Sequence, residues 1–181
     1  PQDNPLILHV SDITQINRLV DSIPDNARTL MKELWPGPLT LILKKSELVP
    51  DVITGGLDTV AIRMPENTIA RELIRASDCP VAAPSANLSG KPSPTSATHV
   101  IEDMSGRIEA IIDGGDVDIG LESTVVTMVQ DTPQILRPGK VTKEQLEEVI
   151  GECEQETKST QKQPQSPGMK YKHYSPEAKV I

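Results

Sequence analysis

Short β-rich apolar runs alternate along this chain with apolar residues at helical spacing, and that alternation constrains the fold more than any other feature. Leu6-Ile7-Leu8-His9-Val10 reads as a buried strand. Ser11 follows as a candidate N-cap, and Ile13, Ile16, Leu19, Val20 and Ile23 recur at helical spacing until Pro24 interrupts. Ala27, Leu30, Met31 and Leu34 form a second helical stripe that ends near Trp35-Pro36-Gly37-Pro38. Leu39 to Leu43 and Thr59 to Met64 read as strands, with a turn at Gly55-Gly56. Asn67 caps a helix through about Ser77, and Val81-Ala82-Ala83 is a short strand running into a polar loop from Pro84 to Thr95. A helix over Ser96 to Met104 and strands at Ala110 to Asp113 and Thr124 to Val129 follow. A last helix, opened by the capping box Thr142-x-x-Gln145, runs through Ile150. Strands alternating with helices predict an α/β fold, with helices packed on a sheet. The pattern does not separate parallel from antiparallel pairing.

A chain of 181 residues is long enough for one domain with its own core. Aromatics are nearly absent: Trp35, Tyr171, Tyr174 and no Phe. The core is therefore expected to be aliphatic, and a base-stacking surface for nucleic acid is disfavoured. Net charge is −8, which opposes extended contact with a phosphate backbone while leaving room for a small anion in a local basic pocket. Cys79 and Cys153 stand far apart without a CxxC pair. They point to a reducing compartment, expected to be the cytoplasm, and to neither a disulfide framework nor a zinc site. No apolar run approaches ~20 residues, so no membrane span is expected, and no signal peptide opens the chain. The first residue is Pro1, which reads as a start in mid-protein or after processing. Beyond the domain at 1–150, residues 151–165 are Gln/Lys/Glu-rich and read as a flexible linker. Ser166 to Pro176, SPGMKYKHYSP, then gathers both tyrosines, a histidine and two lysines.

The common nucleotide and hydrolase fingerprints are missing: no GxxxxGK[ST], no GxGxxG after a strand, no HExxH and no GxSxG. Three scattered histidines make a poor metal cluster. Other segments can carry chemistry. The loop Ala83-Pro84-Ser85-Ala86-Asn87-Leu88-Ser89-Gly90 sets hydroxyl and amide groups where a strand ends, the usual ligand crevice of an α/β sheet, or forms an ordinary capped turn. Arg63 sits inside an apolar strand and needs an anion, either a ligand carboxylate or an internal acid. Asp113-Gly114-Gly115 through Glu122-Ser123-Thr124 allows close backbone approach to a ligand, or is a flexible connection. Arg137, before Pro138-Gly139, is a phosphate clamp or half of a surface ion pair. His9 is a ligand group or a satisfied core histidine. The rigid turn Trp35-Pro36-Gly37-Pro38-Leu39-Thr40 reads as structural.

Six of these segments, WPGPLT, TVAIRMP, APSANLSGKPSPT, DGG…GLESTVV, LRPG and SPGMKYKHY, stand in the order of one family. Together they resemble the YrdC-type threonylcarbamoyl-adenylate synthases, across nearly all of residues 1–150 and again at 166–176. The SPGMKYKHYSP tail is similar to the linker of the longer branch, which continues into a C-terminal domain. The resemblance implies a twisted open α/β sheet around a concave, positively charged groove. It implies synthesis of L-threonylcarbamoyl-AMP from L-threonine, bicarbonate and ATP, a nucleotidyltransferase reaction that releases pyrophosphate. A separate complex would then transfer the group to adenosine 37 of tRNA. Carried over by motif, L-threonine would be held by His9, Arg63, the backbone at Ala83, and Ser123. ATP, with Mg²⁺, would meet Asn4, Thr59, Ser85, Ser93, Arg137 and Tyr174, with Tyr174 closing over the nucleotide. Arg63, Ser85, Asn87 and Arg137 would carry the chemistry, with no metal held by the protein alone and no covalent nucleophile.

One departure is visible. The family signature places a Lys-x-Arg before the proline that matches Pro1, so the resemblance implies an upstream segment. Three competing readings share the fold: a double-stranded RNA-binding module, a carbamoyl-transfer domain of the hydrogenase-maturation type, and a ligand-binding domain without turnover. Charge and aromatic content weigh against the first, and the absence of zinc-finger-like cysteine repeats weighs against the second.

Overall fold

The computed structural model describes residues 4–155. Among them, seven strands form one mixed sheet: β1 (Ile7–His9), β2 (Leu39–Lys44), β3 (Thr59–Arg63), β4 (Val81–Ala83), β5 (Thr124–Thr127), β6 (Gln134–Arg137) and β7 (Glu154–Gln155). Their order is β4-β1-β3-β2-β5-β6-β7. β1 runs parallel to β3 and antiparallel to β4, β2 runs antiparallel to β3 and parallel to β5, and β6 is antiparallel to β5. Five α-helices connect the strands: α1 (Asp25–Leu34), α2 (Asp51–Thr54), α3 (Thr68–Ala76), α4 (Ala97–Met104) and α5 (Lys143–Ile150). No helix among the described residues is long and apolar enough to cross a membrane.

The two faces of the sheet have different fates because side chains alternate along each strand. One face carries Leu8, Leu39, Leu41, Leu43, Val60, Ile62, Val126 and Ile135. It packs under Ala27, Leu30 and Met31 of α1 and Leu146 of α5 in one aliphatic core. That burial is the main source of stability: truncating a fully buried leucine such as Leu41 to alanine costs about 2–5 kcal/mol. The other face buries only Ile7, Ile42, Ala61 and Val125, with Leu136 against them. A groove lies on this less apolar face.

Local sequence explains most element ends. Asp25 sits in the first turn of α1, where an acid complements the helix dipole. Asn67 caps α3 through the Ala70 amide, and Thr142 and Gln145 form the expected capping box on α5.

Four expectations need correction. The first helical stripe forms a 3₁₀ helix over Ile13–Arg18, capped by Asp12, whose Oδ1 accepts from the Thr14 amide; Ser11 is not the cap. Ala110 to Asp113 is not a strand. Ile112 is exposed, Gly115 turns the chain at φ +83°, and β4 pairs among the described residues with β1 alone. The strand read as Thr124 to Val129 ends at Thr127. Finally, Glu154 and Gln155, within the expected linker, pair with Gln134 and Ile135 of β6, and Cys153 beside them is buried. The remainder of that linker and the segment 166–181 lie outside the described residues.

Candidate active site

On the open face, β1 and β3 set His9 directly opposite Arg63, and β1 and β4 set Ile7 opposite Ala83. These residues floor a groove of about 640 Å³. Its walls are the loop after β4, through Ser85, Ser93 and Thr95, and the stretch Asp116 to Ser123 before β5. The walls are tied together: the Val117 amide donates to Thr95 O at 2.9 Å, and Ser93 Oγ donates to Glu122 Oε1 at 2.8 Å.

Two guanidiniums converge here. Arg63 is held by its Nε, which donates to Gly37 O at 3.0 Å, the single side-chain hydrogen bond it makes among the described residues. Burial, and then the positive charge of Arg137, pull Arg63 below its ordinary pKa, while Glu122 and Glu66 oppose the shift. Arg137 reaches the site because β5 and β6 shift register between Val125 and Val126, an irregularity of the kind that re-aims a strand residue. Its Nε and Nη2 donate to Ser123 O at 3.1 and 2.9 Å, and Nη2 also donates to Ser123 Oγ at 2.9 Å. Glu122 Oε2 lies 3.4 Å from Arg137 Nη2.

His9 is neutral. Burial, and then the Arg63 charge, lower its pKa from 6.5 to about 4. Its Nδ1 is buried without a hydrogen-bond partner, and so is Oδ1 of Asn4, which also lines the groove. Native interiors leave few buried polar atoms unsatisfied; both residues line the groove, although these two atoms are themselves shielded from solvent.

Glycines admit the close approaches that shape the site. A methyl group on Gly139 would lie 2.3 Å from Glu122 O and 2.5 Å from the Thr124 amide, so only glycine lets the chain after β6 pass this segment. A methyl group on Gly37 would lie 2.4 Å from Leu34 O, at the turn whose carbonyl holds Arg63.

Of the residues expected at the site, His9, Arg63, Ala83, Ser123, Asn4, Ser85, Ser93 and Arg137 all line the groove. Two others do not. Thr59 shares their sheet face but stands at the opposite end of β3, about 13 Å along the strand from Arg63. Asn87 is turned into its own loop, where Nδ2 donates to Leu88 O and Lys91 O at 2.9 and 3.0 Å and Oδ1 is buried without a hydrogen-bond partner. Tyr174 lies outside the described residues. Sequence reasoning passed over Glu122, whose carboxylate joins Arg137 to Ser93. The available signal was an acid beside Ser123 at the start of a strand.

Comparison with known proteins gives the chain's family and relatives. Residues 1–139 match the Sua5–YciO–YrdC family, described as telomere recombination, and residues 141–181 match the threonylcarbamoyl-AMP synthase C-terminal domain. The chain belongs to the Sua5–YciO–YrdC family. It is 55% identical to a threonylcarbamoyl-AMP synthase of Pyrococcus abyssi over all of this chain and 54% of that protein. It is 54% identical to one from Bacillus subtilis, over 98% of this chain and 52% of that protein. The chain thus spans about half the length of these relatives. Among solved structures, P. abyssi Sua5 complexed with L-threonine superposes with TM-score 0.94 at 55% identity, over 98% of this chain and 53% of that one. Escherichia coli YciO superposes with TM-score 0.69 at 27% identity, over 77% of this chain and 68% of that one. Full-length HypF in its phosphate- and nucleotide-bound form, at 18% identity and TM-score 0.65, over 77% of this chain and 22% of that one, shares the fold alone.

Proposed function

We propose that this protein makes L-threonylcarbamoyl-AMP from L-threonine, bicarbonate and ATP and releases pyrophosphate, as a nucleotidyltransferase supplying the threonylcarbamoyladenosine modification at position 37 of tRNA. The observation that carries the reading is the pairing, on one open sheet face, of two guanidiniums with a neutral imidazole. Such a site attracts a carboxylate and a polyphosphate together and leaves an amine beside it uncharged. The threonine names among the relatives support the same reading.

In this scheme the terminal nitrogens of Arg63 grip the threonine carboxylate, with geometry fixed by Nε on Gly37 O. The charges of Arg63 and Arg137, offset in part by Glu122 and Glu66, favour the neutral form of a threonine amine held beside the two guanidiniums. That amine adds to the carbon of bicarbonate or CO₂, water leaves where bicarbonate is the donor, and a carbamate results. A carbamate oxygen then attacks the α-phosphorus, the bond to the bridging oxygen breaks, and pyrophosphate departs. Arg137 offsets the charge that develops on the phosphoryl oxygens, and Asn4, Ser85 and Ser93 hold the nucleotide by hydrogen bonds. No protein nucleophile is needed.

Among the described residues no three acids or histidines cluster as a metal cage. That donor set fits Mg²⁺ carried by the phosphates of ATP, with Glu66, Asp116, Asp118 and Glu122 the carboxylates within the groove. Bound there, Mg²⁺ neutralises phosphate charge. The test is pyrophosphate release from Mg-ATP by the full-length protein, with L-threonine or bicarbonate omitted in turn. Release that needs both is expected. Release that needs neither, or no release at all, overturns the proposal.

A further inference from the structure

Ser123 Oγ lies at a buried junction of three polar groups. Arg137 Nη2 donates to it at 2.9 Å. Thr40 Oγ1 lies 2.8 Å away, and either hydroxyl could be the donor on distance alone. Thr40 itself is fully buried on β2, on the groove side of the sheet opposite its neighbours Leu39 and Leu41. Its hydroxyl makes no other hydrogen bond among the described residues.

A buried hydroxyl proton without an acceptor costs the full desolvation of that group. Thr40 has one acceptor in reach, Ser123 Oγ. The Thr40 proton therefore goes to Ser123. Ser123 Oγ then accepts from both Thr40 and Arg137, which occupies its two lone pairs. Its own proton is left to point into the groove that Ser123 lines. We infer that Thr40 is a positioning residue that makes Ser123 an obligate hydrogen-bond donor toward the ligand, so that the substrate atom seated at Ser123 is an acceptor oxygen and not an ammonium or a hydroxyl donor.

This deepens the reading proposed above and rests on it for the identity of the substrate. With Arg63, Ser123 and Arg137 all donating, the threonine carboxylate or carbamate oxygens belong at this end. Acceptors lining the same groove are neutral His9 and the carboxylates of Glu66, Asp116 and Asp118.

The test is calorimetric titration of the full-length protein with L-threonine and, separately, with inorganic phosphate, an anion of acceptor oxygens. Thr40→Val keeps the side chain's shape and removes the hydroxyl. Its affinity for both probes is expected to fall about tenfold, the effect of one misdirected hydrogen bond. Thr40→Ser restores the hydroxyl and is expected to bind within about twofold of the parent protein. In a Ser123→Ala background Thr40→Val should cause no further loss, because the group it directs is gone. Unchanged binding by Thr40→Val overturns the inference, as does a Thr40→Ser variant as weak as the valine one, or a full second loss in the Ser123→Ala background. Thr40→Ala takes the place of the valine variant if that one fails to fold. If the parent protein binds phosphate but not L-threonine, the substrate reading fails and the Thr40 comparison is still decided on phosphate. If it binds neither, both fail.

Discussion

At the scale of single residues the fold moves the site's titrating groups away from their ordinary behaviour in water. His9 is the clearest case. Its folded pKa of about 4 lies below the ordinary 6.5. Between those two values the unfolded chain takes up a proton that the folded chain refuses. Stability attributable to His9 is therefore whole above pH 6.5 and falls as pH drops toward 4, by up to about 3 kcal/mol. Replacing His9 with Gln removes that titration. The difference in urea unfolding free energy between the variant and the parent protein should shift in the variant's favour by an amount of this order between pH 7 and pH 4, and a constant difference would show that His9 is not held neutral. Gly139 makes a steric prediction at the same scale. Gly139→Ala drives a methyl group into Glu122 O and the Thr124 amide. The backbone carrying Glu122 and Ser123 must move, and with it the carbonyl that holds Arg137. Anion affinity should fall at least tenfold, with a stability loss of about 1–3 kcal/mol typical of an overpacked contact. Wild-type phosphate binding in this variant would contradict the geometry.

Among the elements, the loop after β4 depends on α4. Asp103 Oδ2 accepts from the Leu88 amide at 3.2 Å, and Oδ1 pairs with Lys91 Nζ, fixing the loop that carries Ser85 and Ser93 to the helix behind it. The Lys91 contact holds the Asp103 carboxyl below its usual pKa. A depressed carboxylate contributes stability above its unfolded pKa and loses it as pH falls toward the folded one. Asp103→Asn should therefore speed amide hydrogen exchange at Leu88 and the neighbouring loop at pH 7, and the contrast with the parent protein should shrink in acid. Equal exchange at pH 7 would mean that the loop does not depend on this tie. The loop's role was legible in the sequence, but its anchor was not, because Leu88 and Asp103 are 15 residues apart and meet only in the fold. The same reason explains the other misreadings. Ala110-Ile111-Ile112 has the composition of a strand, yet a strand needs a neighbour, and pairing is a tertiary fact. β7 is two polar residues that carry no apolar signal, and α2 is one turn long. Polar groups inside apolar runs were legible: His9 and Arg63 declare themselves by their surroundings and face each other across β1 and β3. Thr40 and Glu122 did not, because their importance lies in which atoms they touch across the sheet. Thr59 shows the limit of motif membership, since alternation gives its face but not its place along the groove.

For the molecule as a whole, charge is divided between scales. The chain carries 26 acidic and 18 basic residues, yet the groove floor gathers Arg63 and Arg137 within one open sheet face. The groove lining also holds Glu66, Asp116, Asp118 and Glu122, so the attraction for a small anion comes from donors placed at close range and not from the groove's net charge. A small anion crosses the repulsive region at modest cost and meets buried donors at the end. A polynucleotide, whose phosphates are spread over many ångströms, meets mostly the acidic exterior, and its binding would have to come from released counter-ions. Too few basic residues line the groove to release many. Two phosphate contacts give a slope of log affinity against log salt near −2 at most, against roughly −5 to −9 for a protein that neutralises six to ten phosphates. The prediction is that duplex RNA and tRNA bind the full-length protein more weakly than about 10⁻⁵ M at 150 mM salt, with a slope no steeper than about −2, as read by fluorescence anisotropy across a salt series. Phosphate and ATP, held by buried groups that salt screens poorly, should lose far less affinity over the same series. A steep RNA slope would mean that a basic surface beyond the groove dominates, and the double-stranded RNA-binding reading of this fold would then describe the protein better than a small-molecule synthase.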